Sequence, residues 1–247
     1  VDWVDFISEK ARPYGLNLIA ALPSERYDSA VPAAYRASVI SPTCRSIVVI
    51  GNGGRSFWQA FKAHTAKNEG WLSRQHPLDD FTREVIERAV VEPIHRHGRL
   101  CNVVYPFSNG PTLNFMQLAV LAGLASPSII GVVINPAFGP WIAFRAALLM
   151  DCEIDHPGDA VGFDPCPTCA TRACIGACPA SAVSFPSGWN IPRCLEHRVE
   201  AHPDCAYGCH SRLACVVRPE QRYSEEELAY HQARALEVMR PYYKKRR

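Results

Sequence analysis

Apolar positions change their period several times along the chain, and each change marks an expected element. Trp3, Phe6, Ile7 and Lys10 fall at helical spacing, and Pro13 with Gly15 closes that segment. Leu16 to Leu22 and Ser46 to Ile50 are short apolar runs of the kind that form buried strands. The second runs into Gly51-Asn52-Gly53-Gly54, then into a helical pattern through Phe57, Trp58 and Phe61. Asp79 to His97 is the longest helical pattern, with Phe81, Val85, Ile86, Ala89 and Val90 on one face. Pro93 is expected to kink or shorten it, because proline removes a helix donor, and Gly98 to end it. Leu100 to Phe107 reads as a strand, Asn114 to Ala125 as a helix, and Ser128–Asn135 with Trp141–Met150 as a strand pair.

This alternation predicts an α/β (α+β) core of layered α/β/α architecture. After Asp155 regular periodicity gives way to Pro, Gly and Cys, which sets a boundary. The expected organisation is a core over 1–155, a cysteine-rich module over 156–219, and a C-terminal helix with a basic tail over 220–247. The last helix, Glu225 to Met239, has a capping-box start in Ser224 and Glu227.

Composition narrows the class. With 247 residues, 48% hydrophobic and 20% charged, the chain matches a soluble globular protein. A net charge of +2 gives no electrostatic reason for a nucleic-acid partner. The end Lys244-Lys245-Arg246-Arg247 reads as a solvated tail, or as a contact for an anionic surface. Val1-Asp2-Trp3-Val4-Asp5-Phe6 carries acids where a secretory leader needs bases, so none is expected. The apolar stretch 129–150 is broken by Asn135, Pro136, Gly139, Pro140 and Arg145, which argues against a membrane span. A cytoplasmic protein is expected.

Of eleven cysteines, Cys44, Cys101 and Cys152 are isolated, whereas the other eight lie between positions 166 and 215. Disulfide frameworks belong mostly to small secreted chains, and dense thiols elsewhere more often bind metal. Cys166, Cys169, Cys174 and Cys178 followed by Pro179 spell C-x2-C-x4-C-x3-C-P, two residues longer in its middle gap than the bacterial ferredoxin run. The second group, Cys194, Cys205, Cys209 and Cys215, is looser. In two-cluster ferredoxins the fourth cysteine of a group ligates the other cluster. Carried over, that pattern gives one 4Fe–4S cluster Cys166, Cys169, Cys174 and Cys215, and the other Cys178, Cys194, Cys205 and Cys209. Tetrahedral zinc, a single cluster with spare cysteines, and disulfides are the alternatives. Gly51 to Gly54 is compatible with a tight turn or with a phosphate site at a helix N-terminus. His210 is either a further ligand or a surface histidine; His95 and His97 suit a helix C-terminus.

Leu118 to Ala125, Ile130 to Trp141 and Leu148 to Asp151, followed by the cysteine run, resemble the epoxyqueuosine reductases and corrinoid reductive dehalogenases. Ala122-Gly123-Leu124 and Asn135-Pro136 with Gly139 and Trp141 are the most specific parts. The resemblance is good over roughly 100–216 and lies only in element order before that. It implies a nitroreductase-related, cobalamin-binding core followed by a two-cluster ferredoxin module. Three departures stand out. Cys209 and Cys215 lack the C-x2-C-x3-C-P shape of such families. Ser108-Asn109-Gly110-Pro111 has no carboxylate where they carry a catalytic acid. The chain also ends soon after the module, so no C-terminal tRNA-binding extension is expected.

The expected function is therefore a reductase in which two 4Fe–4S clusters feed electrons to a cobalamin, with flavin as second choice. Gly123, Gly131, Asn135, Phe138, Gly139 and Trp141 are the residues expected near that cofactor, since glycines allow close approach and the two rings offer flat faces. Filling a core beside a tight turn is the other reading of Phe138 and Trp141. An electron donor of ferredoxin or flavodoxin type is the expected partner, with a small-molecule substrate unassigned and no catalytic residue named. A non-catalytic electron carrier or maturation partner, and a zinc-stapled interaction protein, are the rival functions.

Overall fold

The computed structural model describes residues 1–108, 110–155, 162–199 and 205–244. Asn109, the first residues of the expected cysteine module (156–161) and the tail residues 245–247 lie outside them. The chain forms two compact units: Val1–Ala125 with Ile142–Gly162, and Ser126–Trp141 with Phe163–Arg247.

The first unit is a mixed α/β fold, as its periodicity predicts. α1 (Trp3–Ala11) is capped by the Asp2 carboxylate, which accepts from the amides of Val4 and Asp5. β1 (Leu18–Pro23) leads to α2 (Ser24–Ser29) and the single turn α3 (Ala37–Ile40). β2 (Ser46–Gly53) is buried along its whole length and is followed by α4 (Ser56–Lys67). A helical stretch follows, α5 (Pro77–Val85), a π segment (Ile86–Val91) and α6 (Glu92–Arg96). β3 (Cys101–Val104), α7 (Phe115–Leu121) and β4 (Ile142–Met150) complete the unit.

The four strands form one antiparallel sheet in the order β1-β2-β4-β3. Leu22, Ile47, Leu149, Val49, Ala147 and Val104 share one face and pack with Tyr27, Leu118 and Ala122 from the helices. The alternate residues Ala21, Val48, Ile50, Ala146 and Leu148 are also buried, so both faces are covered. That is why β2 reads as a continuous apolar run rather than as an alternating one.

Four expectations are corrected here. Pro93, expected to kink or shorten the helix, does not shorten it: the helical course runs on to Arg96, and the π segment immediately before α6 has the wider turn that relieves the carbonyl a proline ring would otherwise meet. The strand read over Leu100–Phe107 pairs only over Cys101–Val104. Ser128–Asn135 is no strand of the sheet; it makes the isolated bridge Ser126↔Ile134, because Gly131 adopts a left-handed φ of 78° that interrupts any ladder.

Finally, Gly51 to Gly53 is strand rather than turn. At Gly51 the register shifts against β4, and a Cβ there would meet the Ala143 carbonyl oxygen at 2.8 Å. The amide of Gly53 donates to Asn17 Oδ1 at 2.7 Å, and Asn17 Nδ2 donates back to the Gly53 carbonyl at 3.1 Å. These groups are committed internally, which removes the basis for a phosphate cradle. Asn52 is fully buried and accepts from Arg145 Nε at 2.7 Å, while that guanidinium lies 4.5 Å from the Phe57 ring centroid. Asn52→Ala should therefore cost about 1–3 kcal/mol, since it strips an acceptor from a buried charge. Urea unfolding checks this, and a midpoint equal to wild type would refute it.

In the second unit, α8 (Pro165–Thr168) and α9 (Ala173–Gly176) are single turns, followed by the small hairpin β5 (Val183–Ser184) and β6 (Gly188–Trp189). α10 (Ile191–Val199), α11 (His210–Leu213) and α12 (Glu225–Lys244) complete it. At α12 the Glu227 amide donates to Ser224 Oγ at 3.2 Å, one bond of the expected capping box. The segment 126–141, read from sequence with the core, belongs to this second unit. Arg212 Nε donates to the Pro140 carbonyl at 3.0 Å, Arg218 Nε donates to that of Pro136 at 2.8 Å, and Trp141 is buried with Tyr223 and Leu228. Among the described residues no helix is long and apolar enough to cross a membrane.

Candidate metal centres

All candidate metal ligands lie in the second unit, most on or beside single helical turns and Cys194 on the longer α10. Cys166 sits on α8 and Cys169 just after it. The two additional residues of the middle gap have a visible use: Arg172 takes a left-handed φ of 42° at the start of α9. Its backbone N–H bonds to Cys169 and, as the largest cause, holds that thiol below its ordinary pKa, with help from the Thr171 hydroxyl 3.7 Å away. Cys174 lies on α9, and Cys178 accepts from the Ala182 amide at 3.3 Å. Cys194 is on α10, Cys209 precedes α11, and Cys215 follows it.

These turns bring the thiols together in two sets. Cys166, Cys169, Cys174 and Cys215 line a tight cavity of about 30 Å³ with apolar walls that include Ile129, Ile134 and Val217. Cys178, Cys194, Cys205 and Cys209 line a roomier one of about 220 Å³. Cys178, from the first sequence group, thus lines the second cavity, and Cys215, from the second group, lines the first.

Electrostatics follow the same division. Burial, then the neighbouring Cys215, Cys166 and Cys169, pushes the Cys174 thiol up. Burial, then Cys209 and Cys194, pushes Cys205 up to about 11. Burial also raises Cys194 and Cys215. Four thiolates in one such cavity repel each other unless a cationic centre lies among them. All eleven cysteines are free thiols, so no disulfide framework is present. Cys44, Cys101 and Cys152 belong to the first unit, and burial pushes Cys44 up to about 12, which makes it a poor nucleophile at neutral pH.

The side chains around the cavities fit an iron–sulfur core. The first is also lined by Arg172, whose buried Nε has no partner among the described residues. The second is lined by Arg198 and Ser211, whose buried Nε and Oγ likewise have none. An Nε–H can only donate and a hydroxyl can donate, so both cavities suit an anionic occupant rich in acceptors, as sulfides and thiolates are. Arg198 was missed in the sequence, although its i,i+4 spacing from Cys194 puts both on one helix face.

Of the six residues expected near a further cofactor, Gly123 belongs to the first unit and the other five to the second. Gly123 lies in the first unit and closes α7 with a φ of 72°. Gly131 lines the second cysteine cavity and packs against Trp189. Asn135 folds its side chain back to accept from the amides of Ala137 and Phe138, and Gly139 pairs with Asn135. The Phe138 carbonyl accepts from the Trp141 amide. Trp141 is fully buried, with Tyr223 edge-on at 5.6 Å and the Arg212 guanidinium at 4.8 Å. It therefore packs as core rather than presenting a face to a macrocycle. His210 begins α11 and also lines the second cavity.

No family model and no curated protein matches the sequence. Solved structures share its fold. A C. elegans B12-trafficking protein, CblC, aligns at a TM-score of 0.65 and 14% identity over 97% of this chain and 94% of that one. An epoxyqueuosine reductase from Streptococcus thermophilus aligns at 0.60 and 14% identity, over 85% of this chain and 65% of that one. The catabolic reductive dehalogenase NpRdhA aligns at 0.54 and 17% identity, over 92% and 33%. The chain thus spans just under two thirds of that epoxyqueuosine reductase and about one third of the dehalogenase. These likenesses establish the fold and agree with the resemblance drawn from the residues.

Proposed function

We propose that this chain is an iron–sulfur oxidoreductase whose second unit holds two 4Fe–4S clusters, bound in the crossed pattern. The observation that carries the reading is the sorting of eight cysteines into two four-cysteine cavities, each with a buried side-chain donor lacking a protein partner among the described residues. When bound, the clusters would supply one-electron transfer to a cobalamin, or to a flavin as second choice. The protein's part is to hold thiolates, exclude water and set local dipoles. Ile129, Ile134 and Val217 wall the first cavity with apolar surface, and the Arg172 and Ala182 amides point N–H dipoles at Cys169 and Cys178.

Cobalamin is favoured by the fold likeness to a B12-trafficking protein and to a dehalogenase described as B12-dependent. The electron donor would be of ferredoxin or flavodoxin type. Net charge gave no reason for a nucleic-acid partner, yet a fold neighbour, an epoxyqueuosine reductase, was solved with a tRNA stem loop, so RNA remains a partner to test. The non-catalytic carrier reading draws on one observation: residues 108–111 carry no carboxylate to act as an acid.

Protein purified and reconstituted without air should contain about eight iron and about eight acid-labile sulfide per chain and little zinc. Cob(II)alamin added next should change its spectrum. Zinc without sulfide would establish the zinc-stapled reading instead, and full clusters with no response to corrinoid or flavin would leave the carrier.

A further inference from the structure

We infer that Ser211 donates a hydrogen bond to the cluster held by Cys178, Cys194, Cys205 and Cys209 and raises that cluster's reduction potential. The inference rests on the reading of the second cavity as a cluster site. Ser211 is only 2% exposed, yet its Oγ has no partner among the described residues. A hydroxyl buried without a partner is costly, so the position calls for an acceptor that belongs to the site. It stands in the first turn of α11, two residues after Cys209, and lines the same cavity as the four thiols.

Ile130, Val132 and Val183 line that cavity with apolar side chains that accept nothing. Arg198 adds a second unpartnered donor in Nε–H, its Nη atoms being held by Gln232 Oε1 at 2.8 Å and Met239 Sδ at 3.0 Å from α12. Ser211 and Arg198 thus each bring an unpartnered donor to the cavity, and cluster sulfur is an acceptor suited to both. One electron, delivered by an external donor of the ferredoxin or flavodoxin class, adds one negative charge to the cluster. No bond breaks and no proton is transferred. The O–H···S bond strengthens with that charge, so Ser211 stabilises the reduced state more than the oxidised one. In the first cavity the only comparable hydroxyl beside a thiol among the described residues is that of Thr171, whose residue is exposed. Ser211 is thus a positioning and tuning residue specific to one cluster.

The test is a dithionite titration of the full-length chain, reconstituted without air and followed by electron paramagnetic resonance. Ser211→Ala removes no hydrogen bond to the described protein groups, so the fold should be kept. At the wild-type midpoint its reduced-to-oxidised ratio should fall about tenfold for one signal, equivalent to 59 mV for one electron, with the other signal unmoved. Ser211→Thr, which keeps the hydroxyl, should hold the wild-type ratio. Cys209→Ala should abolish the signal that Ser211→Ala shifts. Two full signals with unmoved midpoints in Ser211→Ala, or a shift confined to the signal that survives Cys209→Ala, would overturn the inference. Wild-type protein with only one cluster would overturn the reading beneath it as well.

Discussion

Cys215→Ala should abolish the cluster bound through Cys166, Cys169 and Cys174, and Cys178→Ala should abolish the other one. Each variant should retain about four of about eight iron atoms, and each should lose the spectroscopic signal of the cavity its thiol faces. The result is counter to sequence order, because Cys178 ends the ferredoxin-like run and Cys215 ends the looser group. The reason is geometric. The Ala182 amide bonds to the Cys178 sulfur, and that residue lines the cavity of Cys194, Cys205 and Cys209. Cys215 is 9% exposed and lines the first cavity together with Cys166. Iron and sulfide analysis joined to paramagnetic resonance decides the matter, with Cys169→Ala and Cys194→Ala marking which signal belongs to which cavity. Loss of each group's own cluster, Cys178→Ala behaving like Cys169→Ala, would show that the pairing is not crossed. In the proposed crossed pattern each cluster would join chain segments from both groups, so either variant should unfold at a lower temperature than wild type.

The second large effect is expected at Gly131. Its φ is 78°, and a Cβ there would lie 2.1 Å from Trp189 Cε3, a ring atom that cannot swing aside as a flexible chain end would. Gly131→Ala should destabilise the second unit by about 2–5 kcal/mol, left-handed strain adding to overpacking. Gly188 provides the control: it has a similar φ of 75°, and a Cβ added there would meet nothing within 4 Å, so Gly188→Ala should cost only about 1–2 kcal/mol. Thermal unfolding of the two variants measures the difference. Because Gly131 and Trp189 both line the second cavity, Gly131→Ala should also lower iron retention there and spare the first cluster. Equal melting temperatures for the two variants would show that the Trp189 ring is not held where the structure places it.

Much of the first unit was legible because its signals are local. The Trp3–Ala11 helix follows from the apolar spacing of Trp3, Phe6 and Ile7, and the apolar run of β2 from Ile47 to Ile50 declares a buried strand. What was not legible depends on distant partners. Gly51-Asn52-Gly53 has the composition of a turn, yet β4 pairs with it and Arg145 and Asn17 occupy its polar groups. Pro93 has the chemistry of a helix stop, yet the π segment before it keeps the helical course. Trp141 looks like a platform for a cofactor until Tyr223 and Arg212 close around it.

By itself the sequence pointed to a metal-binding module: Cys166 to Cys178 have near-ferredoxin spacing, a local property of the chain, and four more cysteines follow by position 215. It also located α1, β1, β2, α4, α7 and β4 through hydrophobic period, though not α2 or α3. Only the tertiary structure decided that residues 126–141 belong with the cysteines rather than with the sheet. Only there does the crossed grouping become two cavities, and only there are Ser211 and Arg198 left with donors that no acceptor among the described residues meets. The reason is that a buried donor's satisfaction depends on what every approaching segment brings, and no stretch of sequence records its distant neighbours.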